Sequence, residues 1–369
     1  MQCGYFDLGL CRSCTLMGVD YREQLAAKQA ECASLVATTW LPPFASAESG
    51  FRSKAKLAVG GTTEAPTLGI LDREYRGVDL RDCGIHTAGI RAAIPRLAAF
   101  VTEAGLTPYD VAARSGELKH VLVTESPDGE LMVRFVLRSS EQEPAIRAAL
   151  PALAADLPIR VASVNLLPAH AALLEGQTEA VLTAEPTLPM RLGGLTLHLG
   201  VRSFFQTNLP VAAALYAQAA EWADRLAPAT VTDLYCGVGG FALAVARDGR
   251  AVTGVETSTE AVESARRSAA EAGVRDVEFR AGDATALALE TETHPELVIV
   301  NPPRRGLDAQ LCAWLDSSDV RSVIYSSCNP VSLARDLARM PSFDVREGRV
   351  FDMFPQTAHC EVMVLLERR

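Results

Sequence analysis

The chain has 369 residues, of which 49% are hydrophobic, and it carries a formal net charge of −10 at pH 7. No stretch approaches the ~18 consecutive apolar residues that a membrane helix needs, and the first residues lack the pattern of a signal peptide, so we expect a globular cytoplasmic protein that does not use a membrane. The acidic balance argues against RNA binding through overall charge, so any RNA contact has to come from a local basic patch.

Three of the nine cysteines stand at the N-terminus, where Cys3, Cys11 and Cys14 have the spacing C-x7-C-x2-C. Cys83 lies in a distant loop, RDCGIH, and could complete a set of four thiolates. Zinc and an iron–sulfur cluster both accept four cysteines, and the spacing does not choose between them. Disulfides are not expected, because disulfide-dense scaffolds are usually short secreted chains. For the other cysteines apart from Cys328, a structural role is the better interpretation; they are Cys32, Cys236, Cys312 and Cys360.

Residues 1–200 predict an α+β domain. A basic patch for RNA is predicted in FRSKAK, at Arg52, Lys54 and Lys56, although a solvated basic face explains these residues equally well. The predicted elements are a helix over 20–38, strands at KLAVGG and TLGILD, a helix over 87–104, and the hairpin LKHVLVTES-PDG-ELMVRFVLRS, which turns at Pro127-Asp128-Gly129.

Residues 201–369 alternate β-rich and helical segments, the pattern of a parallel sheet with crossover helices. One helix is predicted to start at Asn208, and another to start at a capping box of Thr257 and Glu260 and to end at Gly273. The sequence therefore predicts an α/β, Rossmann-like domain with a seven-stranded sheet. Its predicted strands are 230–236, 251–256, 277–281, 296–301, 322–328, 345–351 and 361–367.

A glycine-rich turn follows the first of these strands in Asp233-Leu-Tyr-Cys-Gly-Val-Gly-Gly-Phe241. Such a turn allows a ligand to approach the backbone closely. Glu256 ends the next strand, where an acid can accept hydrogen bonds from ribose hydroxyls. These two features fit S-adenosylmethionine (SAM) and NAD equally well, and the turn is not a complete G-x-G-x-x-G.

Asn301-Pro-Pro-Arg-Arg-Gly306 ends the fourth strand, at the edge where α/β sheets hold their ligands. Asn-Pro-Pro resembles an edge motif of methyltransferases, which favours SAM. In amino-group methyltransferases a similar tetrad usually ends in an aromatic residue, and Arg304 at this position speaks against an amine substrate. Asp283, which follows the third strand in AGDA, is a candidate for facing the adenine.

Cys328, in YSSCNP, closes the fifth strand and is expected at the same edge as the glycine turn and Asn301. A single cysteine is more often a small buried hydrophobe, but a strand end beside polar residues favours a nucleophile. A thiolate that adds to carbon 6 of uracil makes carbon 5 nucleophilic enough to attack a sulfonium methyl group. The site would have to favour the thiolate, and Arg304 or Arg305 could do so.

Glu361 begins the last apolar strand and is a candidate for the base that removes the carbon 5 proton afterwards. Burial at this position would raise its pKa toward neutrality, which suits a base. An exposed acid at a strand start is the alternative, and composition alone favours that alternative.

Five motifs, SFFQTN, DLYCGVGGF, NPPRRG, SSCNP and FDMFPQTAHCEV, occur in this order and spacing in the RNA uracil-5 methyltransferases, and the chain resembles that family over its whole length. MQC-x7-C-x2-C, FRSKAK, LTPY, GELKHVLVTES and RFVLRS resemble the branch that acts on uridine 747 of 23S rRNA. The resemblance implies that Cys328 is the nucleophile and Glu361 the base. It also implies SAM contacts by Gln206, Tyr235, Glu256 and Asn301.

The same resemblance implies a [4Fe-4S] cluster on Cys3, Cys11, Cys14 and Cys83, with a structural or RNA-folding role. Many relatives have Asp at the position of Asn301, so a cofactor contact without a charge is expected there. The expected partner is a loop of 23S rRNA that presents a flipped-out uridine. Relatives often begin with a barrel-like RNA-binding module, whereas this sequence starts at the cysteines, so RNA contacts are expected from residues 1–200 and the catalytic cleft. No obligate protein partner is evident, and a monomer is expected.

Three alternatives remain at this point. The first is the same chemistry on another rRNA uridine or on a tRNA uridine. The second is a non-catalytic RNA-binding iron–sulfur protein that retains a methyltransferase fold, although such a protein has no need for both Cys328 and Glu361. The third is a nicotinamide dehydrogenase, which SSCNP does not support.

Overall fold

The computed structural model describes residues 1–290 and 293–369. Within these residues, no helix is long and apolar enough to cross a membrane. The helices, in chain order, are α1 (Gly4–Asp7), α2 (Tyr21–Leu35), α3 (Ala88–Glu103), α4 (Glu143–Asp156), α5 (Leu209–Leu226), α6 (Gly240–Val245), α7 (Thr259–Glu271), α8 (Ala284–Glu290), α9 (Ala309–Ser317) and α10 (Pro330–Leu337). The strands are β1 (Thr39–Trp40), β2 (Lys54–Gly61), β3 (Pro66–Leu71), β4 (Gly77–Asp79), β5 (Leu118–Glu125), β6 (Leu131–Leu137), β7 (Ile159–Leu166), β8 (Thr178–Val181), β9 (Thr187–Leu192), β10 (Leu195–Gly200), β11 (Thr230–Leu234), β12 (Ala251–Glu256), β13 (Val277–Ala281), β14 (Leu297–Val300), β15 (Ser322–Ser327), β16 (Phe343–Phe351) and β17 (Glu361–Arg368).

The chain forms two compact units, each built from two separate segments. The N-terminal unit contains residues 1–17 and 48–188, and the C-terminal unit contains residues 18–47 and 189–369. This division differs from the predicted one, 1–200 and 201–369, in two respects. The main boundary falls after Leu188, and residues 18–47 belong to the C-terminal unit because their partners lie about 300 residues further along the chain.

The N-terminal unit is an α+β fold around a seven-stranded sheet in the order β4-β3-β2-β5-β6-β7-β8. All neighbouring strands are antiparallel except β6 and β7, which α4 connects as a crossover. Apolar residues of α3 and α4 form one core with the inward-facing residues of the sheet, and the rings of Phe100 and Phe135 lie 5.3 Å apart within it. The predicted helix near 87–104 and the predicted hairpin are both present as α3 and β5–β6.

The C-terminal unit contains an eight-stranded sheet in the order β1-β16-β17-β15-β14-β11-β12-β13. All seven predicted strands form, but the predicted total of seven is wrong because β1 pairs with β16, with Thr39 opposite Glu347. Two residues are too few to show strand periodicity in a sequence. The strands run parallel except β17, which is antiparallel to both β15 and β16.

The helix boundaries in this unit follow local capping chemistry. Asn208 is the N-cap of α5, as predicted. The cap of α7 is Ser258, whose hydroxyl accepts a hydrogen bond from the amide of Ala261 at 3.3 Å. The capping box predicted for Thr257 and Glu260 does not form, because the cap lies one residue later and Ala261 then occupies the third position of the helix. Gly273, with φ of 68°, follows the end of α7 as predicted.

The order of the strands locates a crevice in the C-terminal unit. β11 and β14 are neighbours, with β12 and β13 on one side and β15 on the other, so the direction of winding reverses between β11 and β14. Ligands of open α/β sheets bind at such a reversal, beyond the carboxyl ends of the strands. The glycine turn follows β11 and Asn301 follows β14, so both predicted motifs lie at this crevice.

Candidate active site at the sheet edge

The glycine turn joins β11 to α6 and contains three residues with positive φ, Tyr235 (67°), Gly237 (55°) and Gly239 (87°). Glu256, the last residue of β12, fixes this turn, because its Oε2 accepts a hydrogen bond from the Gly237 amide at 3.1 Å. Its Oε1 accepts hydrogen bonds from the hydroxyl of Thr257 and from the backbone amide of Ser258. A carboxylate offers about four lone-pair positions, so Glu256 keeps capacity for a ligand hydroxyl.

Asp233 supports the glycine turn from within β11, where it is fully buried. Its Oδ2 accepts a hydrogen bond from the amide of Ala242 in α6 at 2.9 Å, whereas its Oδ1 has no hydrogen-bond partner among the described residues. Burial raises the pKa of this carboxyl from 3.8 to about 8. Asp233 therefore anchors the first turn of α6 and holds its proton at neutral pH.

Tyr235 and Asn301 directly follow the paired ends of β11 and β14. Leu234 pairs with Val300 in the register of β11 and β14, so these two residues are the next pair along it. Tyr235 is half-buried, and burial together with the nearby charge of Asp308 raises the pKa of its hydroxyl. Both residues therefore lie at the point where the winding reverses.

Asp283, the candidate for the adenine, lies after β13 and is exposed. Its Oδ1 accepts a hydrogen bond from the amide of Ala286 at 2.9 Å, so it caps the start of α8. Its charge contributes to raising the pKa of Tyr235, which places it near the same crevice. Its second oxygen remains a candidate acceptor for a ligand.

Cys328 and Glu361 adjoin at the end of β15 and the beginning of β17. Ser327 pairs with Val362 in this antiparallel ladder, and Cys328 and Glu361 are the next pair in the same register. Glu361 is only 1% exposed, and its Oε1 accepts a hydrogen bond from the hydroxyl of Ser326 at 2.7 Å. The sequence composition favoured an exposed acid here, whereas the structure buries it.

The electrostatics of this pair keep both groups protonated more readily than in water. Burial raises the pKa of Glu361 from 4.5 to about 7, although the hydrogen bond from Ser326 opposes the rise. Burial also raises the pKa of the Cys328 thiol, and the charge of Glu361 adds to this effect. Arg304 lowers the Cys328 pKa, as predicted, but the other two effects outweigh it. The net effect of these groups is to disfavour the thiolate, whereas the sequence predicted that Arg304 or Arg305 would favour it.

Two polar residues shape the loops around Cys328. Asn329 caps α10 by accepting a hydrogen bond from the amide of Val331 at 3.1 Å, and it donates to the carbonyl oxygen of Arg304 at 3.1 Å. Asp336, fully buried in α10, accepts 2.8 Å hydrogen bonds from the amide of Leu307 and the hydroxyl of Tyr325. These contacts join the loop after β14 to the loop after β15.

Gln206 lies in the segment that leads into α5, with 9% of its surface exposed. Two residues later, Asn208 donates hydrogen bonds to the hydroxyl of Ser46 at 2.7 Å and to the carbonyl oxygen of Met353 at 3.4 Å. Asn208 thereby ties the SFFQTN motif to the segment that precedes Glu361. The sequence predicted Asn208 only as a helix cap. Ser326 and Asp336 were not predicted, although each is a polar residue within an otherwise apolar strand or helix, a signal that could have identified it.

The four candidate metal-binding cysteines all belong to the N-terminal unit and influence one another electrostatically. Burial raises the pKa of Cys14 to about 11, and the charges of Cys83, Cys11 and Cys3 contribute. The backbone amides of Ile85 and His86 lower the pKa of Cys83, although its net shift is upward. Among the described residues, no group of three or more cysteine, histidine or acidic side chains has the arrangement of a metal site. The cysteines predicted to be structural, at 32, 236, 312 and 360, are buried.

The predicted basic patch is only partly a surface feature. Arg52 lies beside the cysteine group, since the charges of Cys83 and Cys14 act on it, and its Nε donates to the carbonyl oxygen of Lys54 at 3.0 Å. Burial lowers the pKa of Lys54 to about 8. Lys56 is exposed. Within FRSKAK, one basic side chain is therefore exposed and the other two are half-buried.

Comparison with known proteins places this arrangement in a family. Residues 194–369 match the sequence model of the family described as tRNA (Uracil-5-)-methyltransferase. The chain is 49% identical, over the whole of both chains, to the 23S rRNA (uracil(747)-C(5))-methyltransferase RlmC of Halothiobacillus neapolitanus. It is 44% identical, again over the whole of both, to the protein of that name from Escherichia coli K12.

A solved structure gives the same result. The crystal structure of Pyrococcus abyssi tRNA (uracil-54, C5)-methyltransferase in complex with S-adenosyl-L-homocysteine superposes with a TM-score of 0.82 at 25% identity. The match covers 99% of this chain and 85% of the archaeal one. The sequence resemblance to uracil-5 methyltransferases is thereby confirmed. The chain belongs to the uracil-5-methyltransferase family and is a one-carbon transferase of that family.

Proposed function

We propose that the protein transfers the methyl group of SAM to carbon 5 of a uridine in a loop of 23S rRNA, namely uridine 747. The observation that carries the reaction is the proximity of Cys328 to the buried Glu361 at the end of β15, where the charge of Glu361 acts on the thiol. The choice of uridine is supported by full-length relatives whose printed names specify that position. A ribosomal RNA substrate also supports a cytoplasmic location.

The SAM site that we propose lies at the crevice between β11 and β14. Glu256 accepts hydrogen bonds from the ribose hydroxyls, and the glycine turn that it holds lets the ligand approach the backbone. Tyr235, Asn301 and Gln206 complete the contacts. Asn301 can donate and accept hydrogen bonds but brings no charge, whereas many relatives have Asp there. The archaeal structure, which contains S-adenosyl-L-homocysteine, supports this type of ligand.

The chemistry that we assign to Cys328 and Glu361 has three steps. The thiolate of Cys328 forms a bond to carbon 6 of uracil, and the electron pair of the carbon 5–carbon 6 bond moves into an enolate. Carbon 5 then attacks the methyl carbon of SAM, whose bond to sulfur breaks to release S-adenosylhomocysteine. Finally, the carboxylate of Glu361 takes the proton from carbon 5, the bond between Cys328 and carbon 6 breaks, and the double bond returns.

The raised pKa of Glu361 suits the last step. A base with a pKa of about 7 is partly ionised at neutral pH and still binds a proton strongly. Its burial excludes water that would otherwise solvate the carboxylate. The uracil has to leave its stack to reach this pocket, because a stacked or paired base hides carbon 6.

In addition, we propose that Cys3, Cys11, Cys14 and Cys83 hold a [4Fe-4S] cluster. The family resemblance of the cysteine spacing supports this proposal, and the four cysteines are near enough for their charges to act on one another, although the described residues show no ready-made metal arrangement. When bound, such a cluster supplies a structural link between the N-terminal helix and the loop at Cys83, and methyl transfer needs no electron from it. Broad visible absorbance from an anaerobic preparation, lost in Cys83→Ser, is expected; stoichiometric zinc without that absorbance would replace this proposal by a zinc site.

Two variants test the reaction. Cys328→Ala should bind SAM normally but transfer no methyl group, and retained activity would remove Cys328 from the nucleophile role. Glu361→Gln should accumulate a covalent protein–RNA adduct, seen as a slowly migrating band under denaturing conditions, because the last step is blocked. Normal turnover without an adduct would remove Glu361 from the base role.

The target is tested by mapping 5-methyluridine in rRNA and tRNA from cells that lack the gene. Loss at uridine 747 of 23S rRNA alone is the expected result. Loss at a tRNA uridine instead would favour the substrate named for the archaeal enzyme. An unchanged map together with intact RNA binding would favour a non-catalytic RNA-binding protein.

A further inference from the structure

Helix α2, Tyr21–Leu35, buries a stripe of side chains that is not aliphatic. Its buried residues are Gln24, Lys28 and Cys32, which are spaced four residues apart and therefore lie on one face of the helix. A surface helix usually buries aliphatic residues at this spacing. A buried polar stripe calls for specific partners on the surface that it contacts, because unpaired polar groups are costly to bury.

All three residues of the stripe contact the same segment, residues 352–360, which joins β16 to β17 and ends immediately before Glu361. We call this segment the base loop. Lys28 Nζ lies 2.6 Å from Asp352 Oδ1, and it donates a second hydrogen bond to the carbonyl oxygen of Phe354 at 3.1 Å. The side chains of the ion pair are 2% and 0% exposed. Lys28 thus fixes the first part of the base loop.

The middle of the base loop is held by a reciprocal amide pair. Gln24 Nε2 donates to Gln356 Oε1 at 3.0 Å, and Gln24 Oε1 accepts from the backbone amide of Gln356 at 3.0 Å. Gln356 is 1% exposed and has a φ of 67°, a left-handed conformation that a residue with a side chain rarely adopts. Such a conformation persists only when its surroundings impose it.

The third contact lies next to Glu361 itself. The sulfur atoms of Cys32 and Cys360 are 3.9 Å apart, and both side chains are buried. The three residues of the stripe therefore contact four residues of the base loop, of which Asp352 is the first and Cys360, the residue before Glu361, is the last.

We propose that Gln24, Lys28 and Cys32 are positioning residues that hold Glu361 at the carbon 5 proton. The inference rests on the function proposed above. A general base has to lie within about 2.6–3.2 Å, between heavy atoms, of the group whose proton it takes, and a displacement of about 1 Å can lower a rate about 100-fold. The ladder of β17 fixes Glu361 on its C-terminal side, and the stripe of α2 fixes it on its N-terminal side.

The test compares variants that loosen the base loop with a matched control. Gln24→Met removes both amide hydrogen bonds at nearly constant volume. The double variant Lys28→Met, Asp352→Asn removes the ion pair without leaving a buried unpaired charge. Arg22→Met introduces the same residue on the exposed face of α2 and serves as the control. Each variant is assayed for kcat, for KM of SAM, for thermal unfolding and for covalent protein–RNA adduct during turnover.

We expect kcat to fall by about 10-fold or more in both loosened variants, with KM for SAM unchanged and an adduct that accumulates, because addition continues while proton removal slows. Arg22→Met should match the wild type. A purely structural role would reduce addition and proton removal together, so a fall in activity without adduct, or unchanged kcat, overturns the inference. If the wild type methylates no RNA, the proposed function has failed. If the wild type is active and both loosened variants behave like Arg22→Met, only the positioning role has failed.

Discussion

Replacing Glu361 by Gln should stabilise the folded protein above neutral pH while it blocks turnover. The carboxyl is 1% exposed, and burial raises its pKa from 4.5 to about 7. In the unfolded chain the same group ionises near 4.5, so the folded state binds the proton more tightly. A group with a raised folded pKa contributes stability that is present below about pH 4.5 and lost as the pH rises to about 7.

The magnitude follows from the size of the shift. About 2.5 pKa units at 1.36 kcal/mol each correspond to about 3 kcal/mol, lost in full once the pH exceeds 7. Between pH 5 and pH 8 the wild type should lose about 2.5 kcal/mol through this residue alone. Gln has a similar shape and no charge, so Glu361→Gln should not show this loss. The pKa of Asp233 is also raised, but Asp233 is present in both proteins and cancels.

Urea unfolding of both proteins at pH 5 and pH 8 measures the effect. The free-energy advantage of Glu361→Gln over the wild type should be about 2.5 kcal/mol larger at pH 8 than at pH 5. Glu263→Gln, which neutralises an exposed acid on α7, is the control and should show no such difference. An advantage that is the same at both pH values would refute the assignment of a raised pKa to Glu361.

Three further predictions follow from the same contacts. The kcat of the wild type should fall as the pH drops below about 7, because Glu361 has to be ionised to act as the base. Ser326→Ala should move the midpoint of this fall to higher pH, because the hydrogen bond that it removes favours the carboxylate. A pH–rate profile measures both effects, and an unmoved midpoint would contradict the role of Ser326. Asp336→Ala should lower the free energy of unfolding by about 3 kcal/mol or more, because the Tyr325 hydroxyl and the Leu307 amide lose their acceptor. Tyr325→Phe should lower the same free energy by only about 1–2 kcal/mol. Urea unfolding of both variants measures the order of the two effects, and the reverse order would contradict this prediction. Glu256→Gln should weaken SAM binding about 10-fold or more, as measured by calorimetry, but should change the free energy of unfolding by only about 1 kcal/mol. An unchanged affinity for SAM would remove Glu256 from the proposed site.

The main sheet of the C-terminal unit could be predicted because its parallel strands are short apolar runs between amphipathic helices. The contribution of residues 18–47 could not. Their strand, β1, has two residues, and the buried face of α2 carries Gln24, Lys28 and Cys32, which in a sequence resembles a solvent-facing stripe. The partner of Lys28 is Asp352, more than 300 residues away, and no local pattern encodes such a contact.

The site was predicted from the rule that the carboxyl ends of parallel strands lie at one edge of a sheet. For Glu361 this rule gives the right edge only when the direction of its strand is known. The carboxyl ends of parallel strands share one edge, which accounts for the glycine turn, Asn301 and Cys328. Glu361 begins its strand instead of ending it, and in a parallel strand it would lie at the opposite edge. It meets Cys328 only because β17 is antiparallel to β15. The motif FDMFPQTAHCEV carried this information through resemblance, whereas alternation and composition did not.

The surroundings of Cys328 set the conditions under which the nucleophile role proposed for it can operate. Burial and the charge of Glu361 raise the Cys328 pKa above the ordinary 9.0, so the thiol holds its proton at neutral pH and is a weak nucleophile. Arg304 acts in the opposite sense from an exposed position. The nucleophile role proposed for Cys328 therefore requires that substrate binding offset the effects of burial and of the Glu361 charge on this thiol.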